Sequence, residues 1–307
     1  MQQQSVTFDS AGLRLVGTLY VPDTTTAEKQ PAIVVSHPGS AVKEQSAGLY
    51  AHHLAEQGFV ALAFDAAYGG ESEGEPRGLE DPAHRVEDIK AAISFLSARD
   101  GIDAGRLGLL GICASGGYSI LATATDHRIK AVATVSGTDI GRFFREGYDG
   151  KQAPQVLHSL LDSAAKARTA EARGEGVQRF PLFPATEDDA RQAGQYIYEG
   201  WEYYCTPRAA HPRSTKTMPW RSADLIATFS GFSLIHLISP RPLLMIAGTN
   251  ADTRWMTEEA LSQAAEPKTL YWIEGASHVD LYDKHDYVKL AVQKLAEFYK
   301  DELGNSL

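Results

Sequence analysis

The sequence predicts an α/β protein with a mostly parallel, doubly wound sheet and a helical cap inserted into it. Three features lead to this prediction: short continuous apolar runs, amphipathic helical patterns between them, and one long stretch without a β-like run. Continuous apolar runs are typical of strands that are buried on both faces of a parallel sheet. Strands that alternate with helices favour parallel connections, in which each helix packs back onto the sheet.

The predicted strands are of two kinds. Residues 6–9 and 13–20 roughly alternate apolar and polar side chains around a turn at residues 10–12, which suits a hairpin with one solvated face. The later strands are continuous apolar runs at residues 32–35, 60–64, 107–110, 131–135, 242–247 and 270–273. We expect these later runs to form the buried part of the sheet.

Helical patterns separate these strands. The pair Asp81-Pro82 begins one helix, because aspartate caps a helix and proline fits its first turn. Gly58 ends another, since glycine is frequent just past a helix end. The predicted helices of the core cover residues 46–57, 81–99, 114–125 and 287–303.

One long stretch interrupts the alternation of strands and helices. Residues 141–238 contain helical patterns at 156–172 and 188–201 and many prolines, but no long β-like run. We interpret this stretch as a helical cap or lid, and residues 1–140 and 239–307 as the core. Its clustered aromatic residues include three that we expect to bind substrate, namely Tyr203, Tyr204 and Trp220. The alternative is a packed helical extension with ordinary core aromatics.

Composition excludes several classes of protein. The chain has 29 Lys+Arg against 39 Asp+Glu and a formal charge of −10, which disfavours general nucleic-acid binding and contact with anionic membranes. Two cysteines, Cys113 and Cys205, can form neither a disulfide scaffold nor a four-cysteine zinc site. No signal-peptide pattern and no long apolar run is visible. We therefore expect a cytoplasmic protein with reduced thiols.

The clearest chemical motif is LGLLGICASGG at residues 107–117, in which a strand, a tight turn and a helix follow one another. Small residues at positions 111 and 115 flank Cys113, which is the spacing of a nucleophile elbow with cysteine as the nucleophile. Larger side chains at the flanking positions would clash in the strained turn. We expect the helix start and a nearby histidine to depress the pKa of the thiol. Two alternatives stay open: Ser115 as nucleophile, and a structural cysteine.

Two loops after later strands supply the partners that such a nucleophile needs. His278 follows the last predicted strand and can take the thiol proton as a general base. Asp252 follows the preceding strand and is the candidate acid that orients His278. Asp252 could instead cap the helix that starts near Thr257, and Asp280 is a second acid that we expect to support the histidine loop. The order nucleophile, acid, histidine is that of the α/β-hydrolase fold.

A small-residue loop at 36–40 follows the first buried strand. Such a loop can direct a backbone N–H at a developing oxyanion. We assign this role to the N–H groups of Gly39 and Ala114. His37 is expected to orient the loop rather than to take part in catalysis.

The motifs together resemble the dienelactone hydrolases and a polyketide-transferase-like branch of the α/β hydrolases. The matching segments are residues 37–39 with 43–45, 64–69 with 71–72, 111–118, 203–214 and 275–283. The resemblance implies an α/β-hydrolase fold and a Cys113–His278–Asp252 triad without metal or organic cofactor. The acid loop of the family reads Gly-x-x-Asp, which would place the acid at Ala251, whereas this chain has Asp252 one residue later. Glu44 resembles the glutamate that restrains the cysteine in dienelactone hydrolases.

These observations predict a hydrolase that acts on an ester, lactone or thioester through an acyl-enzyme intermediate. The expected partner is a small-molecule acyl substrate, and a homodimer is left open. Two other functions remain under consideration. One is an acyltransferase that uses the same intermediate, and the other is a non-catalytic ligand-binding protein on the same fold.

Overall fold

The computed structural model describes residues 1–23 and 28–304. The strands are β1 (Gln2–Ser10), β2 (Leu13–Val21), β3 (Gln30–Ser36), β4 (Val60–Asp65), β5 (Ile102–Ile112), β6 (Ile129–Val135), β7 (Arg179–Pro181), β8 (Thr217–Pro219), β9 (Leu243–Gly248) and β10 (Lys268–Ile273). The α-helices are α1 (Ser46–Glu56), α2 (Pro82–Ser97), α3 (Ser115–Thr125), α4 (Ile140–Glu146), α5 (Pro154–Ala172), α6 (Glu187–Gln192), α7 (Gln195–Cys205), α8 (Arg221–Ala227), α9 (Arg254–Gln263), α10 (Asp280–Asp283) and α11 (His285–Leu303). Across these described ranges, no helix combines the length and apolar character that crossing a membrane requires.

Eight strands form the main sheet in the order β1-β2-β4-β3-β5-β6-β9-β10. β1 and β2 pair as an antiparallel hairpin, and β2 also runs antiparallel to β4. The strands from β4 to β10 along the sheet pair in parallel. This arrangement confirms the predicted α/β fold with a mostly parallel sheet, and every strand predicted for the core is present.

Helices cover both faces of the sheet, and each face has its own core. Val34 and Leu109 face the side covered by α2, α3 and α9, whereas their neighbours Ile33 and Leu110 face α1 and α11. All four side chains have no exposed surface. Because successive side chains of a strand point to opposite faces, a continuous apolar run is what two buried faces require.

The order of the strands determines where a site can form. The strand that follows β3 in the chain, β4, lies on one side of β3 in the sheet, whereas the strand that follows β5, β6, lies on the opposite side of β5. The loops after the neighbouring strands β3 and β5 therefore diverge. Ser36 at the end of β3 is paired with Gly111 near the end of β5. Ligands of open α/β sheets bind at such a switch point, outside the carboxyl ends of the strands. The loop at residues 37–40 and Cys113 therefore lie beside each other.

The segment between β6 and β9 contains α4 to α8 and the two short strands β7 and β8, which form a separate antiparallel sheet. We call residues 141–238 the cap. The helix predicted at residues 156–172 is present as α5, but the one predicted at 188–201 is divided into α6 and α7. Gly194 separates them with φ +107°, a conformation that interrupts a right-handed helix.

Candidate active site

Cys113 occupies the turn between the end of β5 and the start of α3. Its φ of +55° places it in the left-handed region, where a residue with a side chain is strained. A Cβ added to Gly111 would lie 2.2 Å from the carbonyl oxygen of Ser115, so this position requires glycine. The structure thus contains the strained, tightly packed turn that the elbow motif predicts.

Ser115, the alternative nucleophile, lies below the turn and is fully buried. Its hydroxyl is 2.9 Å from Oγ of Ser36, donates to the carbonyl of His37 at 2.5 Å and accepts from Arg85 at 2.7 Å. These contacts hold the loop after β3 against the elbow. In contrast, Cys113 is half-buried and lines a cavity, which favours Cys113 over Ser115 as the reactive residue.

The Cys113 thiol does not have the depressed pKa that the sequence suggested. Burial raises the pKa of the thiol and outweighs hydrogen bonds with the Tyr282 hydroxyl and the Ala114 N–H, which lower it. The helix start therefore contributes less than the loss of water around the sulfur. In this state the sulfur is a protonated thiol at neutral pH.

His278 is buried, with 1% of its surface exposed, and hydrogen bonds engage both of its ring nitrogens. Nδ1 lies 2.6 Å from Oγ1 of Thr253, and Nε2 lies 3.0 Å from the hydroxyl of Tyr282. Burial lowers the pKa of the imidazole to about 3. The ring is therefore neutral at physiological pH and does not form an ion pair with a cysteine thiolate.

The structure does not bring Asp252 to His278. Asp252 is largely exposed. Partial loss of water around its carboxyl and the charge of Asp149 in the cap raise its pKa, whereas Lys151 in the cap lowers it. Within residues 1–23 and 28–304, no hydrogen bond joins Asp252 to His278, and the neighbouring Thr253 makes the contact instead. The residue at position 253 points inward and that at 252 outward.

Asp280 supports the histidine loop, as expected. Its Oδ2 accepts a hydrogen bond from the N–H of Ser277 at 3.1 Å, and the Ser277 hydroxyl accepts from the N–H of Asp280 at 3.2 Å. This reciprocal pair closes the turn that carries His278 into α10. Asp280 therefore contributes to the position of His278 without contacting its ring nitrogens.

The loop at residues 37–40 is held rigidly beside Cys113. Nδ1 of His37 lies 2.7 Å from the carbonyl of Pro38, and its Nε2 accepts from the N–H of Ala66 at 3.2 Å. Gly39 lines the cavity next to Cys113 and Ala114. His37 is thus a buried structural residue, in agreement with the sequence analysis, and the predicted oxyanion donors Gly39 and Ala114 lie on the cavity wall.

A cavity of about 180 Å³ opens above Cys113. The core contributes Gly39, Ser40, Cys113, Ala114, Thr138, Val279 and Tyr282, together with Ile140 at the edge of the cap. The cap contributes Phe143, Phe144, Leu182, Phe183, Tyr196, Ile197, Gly200, Tyr204 and Met218. These walls are mostly apolar, so the cavity suits an apolar group of a substrate.

Of the three aromatic residues that we expected to bind substrate, only Tyr204 lines this cavity. Tyr203 is buried, and its hydroxyl accepts from the N–H of Ser46 at 3.0 Å. Trp220 packs on Phe180, with ring centroids 4.5 Å apart. Tyr203 and Trp220 therefore pack against other residues and do not line this cavity, and their contact with a substrate stays a prediction.

In the described part of the chain, Glu44 forms its ion pairs with Lys43 and Arg213, and no hydrogen bond joins it to Cys113. The hydrogen bond that Glu44 accepts from Lys43 is 2.7 Å long, and Arg213 belongs to the cap. Glu44, Asp65 and Glu71 form an acidic cluster with the spacing of metal ligands, but the ammonium group of Lys43 contacts all three carboxylates. A lysine in that position makes the cluster an ion-pair network rather than a metal site.

Sequence reasoning missed Thr253 and Tyr282. Tyr282 stands four residues after His278, and residues four apart lie on the same side of a helical turn. This spacing is the sequence signal for a contact between Tyr282 and His278, because α10 begins two residues after His278. Thr253 carried no comparable signal, since a threonine at a helix start usually serves as a cap.

Comparisons with known proteins agree with this fold. The Escherichia coli K12 protein named uncharacterized protein YcjY is 38% identical over 308 residues, covering 99% of this chain and 100% of that protein. The thiohydrolase aneE of Aspergillus aculeatus is 35% identical over 277 residues, covering 87% of this chain and 83% of that protein.

Solved structures show the same architecture. The crystal structure of hypothetical protein PA2218 from Pseudomonas aeruginosa superposes with a TM-score of 0.91 at 36% identity, covering 98% of this chain and 94% of that one. The alpha/beta hydrolase GrgF from a Penicillium species gives a TM-score of 0.83 at 19% identity, covering 99% and 100%, which shows the fold alone. The fold is thus the α/β-hydrolase fold. The model of the X-Pro dipeptidyl-peptidase (S15) family matches residues 11–200, so the chain belongs to this family within the α/β hydrolases.

Proposed function

We propose that this protein hydrolyses thioesters, or related esters and lactones, of apolar carboxylic acids, with Cys113 as the nucleophile. The observation that carries the proposal is the position of the Cys113 sulfur. It lies on a left-handed turn at the carboxyl edge of the sheet and faces an apolar cavity of about 180 Å³. An apolar cavity of about 150 Å³ binds benzene in another protein, so the space fits one ring or a short acyl chain. The relative named a thiohydrolase supports the thioester class.

In the proposed acylation step, the sulfur of Cys113 attacks the carbonyl carbon while its proton moves towards His278. A C–S bond forms and the carbonyl π pair moves onto oxygen. The tetrahedral intermediate then collapses, the bond to the leaving thiol or alcohol breaks, and that group takes up the proton. Both groups start neutral because burial raises the pKa of the thiol and lowers that of the imidazole, so proton transfer accompanies bond formation.

We assign stabilisation of the oxyanion to the N–H groups of Gly39 and Ala114. Both residues line the cavity beside the sulfur. In the part of the chain that the structure describes, no protein acceptor takes the N–H of Gly39, so this donor is free for a ligand. Backbone donors fixed before the reaction stabilise developing charge without reorganisation. The buried contacts of His37 and Ser115 below the loop supply that rigidity.

In the proposed deacylation step, water attacks the acyl carbon and gives a proton towards His278. The C–S bond breaks, the carboxylic acid leaves and the proton returns to the Cys113 sulfur. In this proposal Thr253 orients His278, because its hydroxyl holds Nδ1 at 2.6 Å. Asp252, which the sequence suggested for this role, remains to be tested by substitution.

The experiment is a panel of acyl thioesters and p-nitrophenyl esters of increasing chain length, with the acid product measured directly. C113A should reduce the rate by about 10³-fold or more, as loss of a covalent nucleophile does. The matched control is C205A, which removes the other cysteine and should leave the rate unchanged. Transfer of the acyl group to an added alcohol or amine would indicate an acyltransferase. Tight ligand binding without turnover would contradict the proposal and favour a binding protein.

A further inference from the structure

The proposed base and the proposed nucleophile do not meet directly. Cys113 lines the cavity, whereas His278 is 1% exposed and is not part of the cavity wall. Tyr282 is part of that wall, and its hydroxyl lies 3.0 Å from Nε2 of His278. A proton that leaves the cavity for His278 therefore meets the Tyr282 hydroxyl first.

The other side of the Tyr282 hydroxyl faces the nucleophile. Tyr282 and Cys113 line the same cavity, and a hydrogen bond between the Tyr282 hydroxyl and the Cys113 sulfur lowers the pKa of the thiol. One hydroxyl thus contacts both reacting partners. A hydroxyl can donate one hydrogen bond and accept another at the same time, which is what a proton relay requires.

The position of Tyr282 is fixed by packing. Its ring makes edge contacts with the rings of Tyr203 and His278, with centroids 5.2 and 5.6 Å apart. The Tyr50 hydroxyl donates to the carbonyl of Leu281 at 2.7 Å, which anchors the backbone next to Tyr282. Preorganisation of this kind holds a catalytic group in productive geometry.

We propose, on the basis of the function proposed above, that Tyr282 is a catalytic residue that relays the proton between the Cys113 thiol and His278. As the sulfur attacks, the S–H proton passes to the oxygen of Tyr282 and the original hydroxyl proton passes to Nε2 of His278. The sulfur electron pair forms the bond to the acyl carbon. When the leaving group departs, Nε2 of His278 returns its proton to the oxygen of Tyr282, and the Tyr282 hydroxyl gives its own proton to the leaving thiol or alcohol. Tyr282 is neutral before and after each step.

The electrostatics of Tyr282 agree with this role. Burial raises the pKa of its phenol well above the usual value of 10, and the nearby Cys113 and Tyr204 contribute in the same direction. The phenol therefore keeps its proton and acts as a neutral hydroxyl. The relay requires the tautomer with its proton on Nδ1, in which His278 donates to Oγ1 of Thr253 and Nε2 accepts from Tyr282; the 2.6 and 3.0 Å contacts are compatible with it.

The test compares pre-steady-state acylation of the wild type, Y282F and Y299F with a p-nitrophenyl ester. Y282F removes only the hydroxyl and should slow acylation by about 10²–10⁴-fold, the usual contribution of proton transfer, with little change in KM. Y299F is the matched control, because it removes a buried hydroxyl that donates to the carbonyl of Leu109 away from the cavity. It should acylate at the wild-type rate. The double variant Y282F/H278Q should be no slower than H278Q, because residues in series act as a unit.

A second measurement needs no variant. Acylation rates of the wild type in mixtures of H₂O and D₂O should give a curved dependence on the deuterium fraction, because two protons move together. A linear dependence, or a folded Y282F that acylates within about threefold of the wild type, would overturn the relay. Faster acylation in Y282F would also overturn it and make Tyr282 an obstacle. If the wild type forms no acyl-enzyme on Cys113 at all, the proposed function itself is wrong, which separates the two failures.

Discussion

Oγ1 of Thr253 lies 2.6 Å from Nδ1 of His278, in the place where an acid was expected. A hydroxyl can fix the orientation of the ring, but it carries no charge and cannot compensate a positive imidazolium. This agrees with the pKa of His278, which burial lowers to about 3. The site therefore combines a neutral histidine, a neutral thiol and a neutral orienting group.

Substitution of Thr253 should test this arrangement. T253A should lower kcat by about 10–100-fold, because loss of one buried hydrogen-bond partner costs about 1–3 kcal/mol. T253S keeps the hydroxyl and should restore most of the rate. D252N should stay near the wild-type rate, since Asp252 is exposed and does not contact the ring. If D252N is as slow as T253A, the acid acts on His278 after all.

The pH profile of kcat/KM should lack the decrease at acidic pH that protonation of a histidine base usually causes. His278 must be neutral to accept a proton, and its pKa of about 3 means that acidification from pH 7 to 5 does not protonate it. We therefore expect kcat/KM to be flat over that range with an ester substrate. A tenfold loss per pH unit below about 6.5 would show that His278 titrates as an ordinary histidine in the working enzyme.

The lowered pKa of His278 also predicts how the free energy of unfolding depends on pH. His278 has a lower pKa in the folded protein than the ordinary value of 6.5, so between these values only the unfolded chain binds the proton. The free energy of unfolding should therefore decrease as pH falls from about 6.5 towards 3, by about 1.4 kcal/mol per pH unit for this group. Urea unfolding of the wild type and H278Q at several pH values measures the difference. Equal slopes of the free energy of unfolding against pH in both proteins would contradict the lowered pKa of His278.

Residues of the cap should set the acyl-chain preference. Phe143 lines the cavity, so F143A should enlarge it and shift kcat/KM towards longer chains by about 1–3 kcal/mol. Trp220 packs on Phe180 outside the cavity wall, so W220A should lower the free energy of unfolding and leave the preference unchanged. The ratio of kcat/KM across an ester series measures both. A shift in W220A but not in F143A would show that the cavity is not the acyl site.

The fold and the strained turn that carries Cys113 could be predicted because their signals are local. A continuous apolar run specifies a buried strand, and Gly111 stands where any side chain would collide with the Ser115 carbonyl. Cys113 follows directly from that pattern. The helices of the cap were predicted less accurately, because Gly194 divides residues 188–201, whose composition is typical of one helix.

The rest of the site depends on how loops are arranged in space. Asp252 was selected for its charge, but the backbone after β9 turns the next residue, Thr253, towards His278. Burial of Cys113 and His278 under the cap is a tertiary effect, and it reverses the expected direction of the pKa of Cys113. Neither effect is encoded in the spacing of the motifs.

The most direct test of the account is to identify the residue that carries the acyl group during turnover. The protein is mixed with a short-chain acyl thioester, quenched in acid within the first turnover and digested, and the acylated residue is located by fragmentation of the peptides in a mass spectrometer. We expect one acyl group, on the sulfur of Cys113, and none in C113A. An acyl group on Ser115, or hydrolysis without any covalent adduct, would contradict the assignment of Cys113 as the nucleophile.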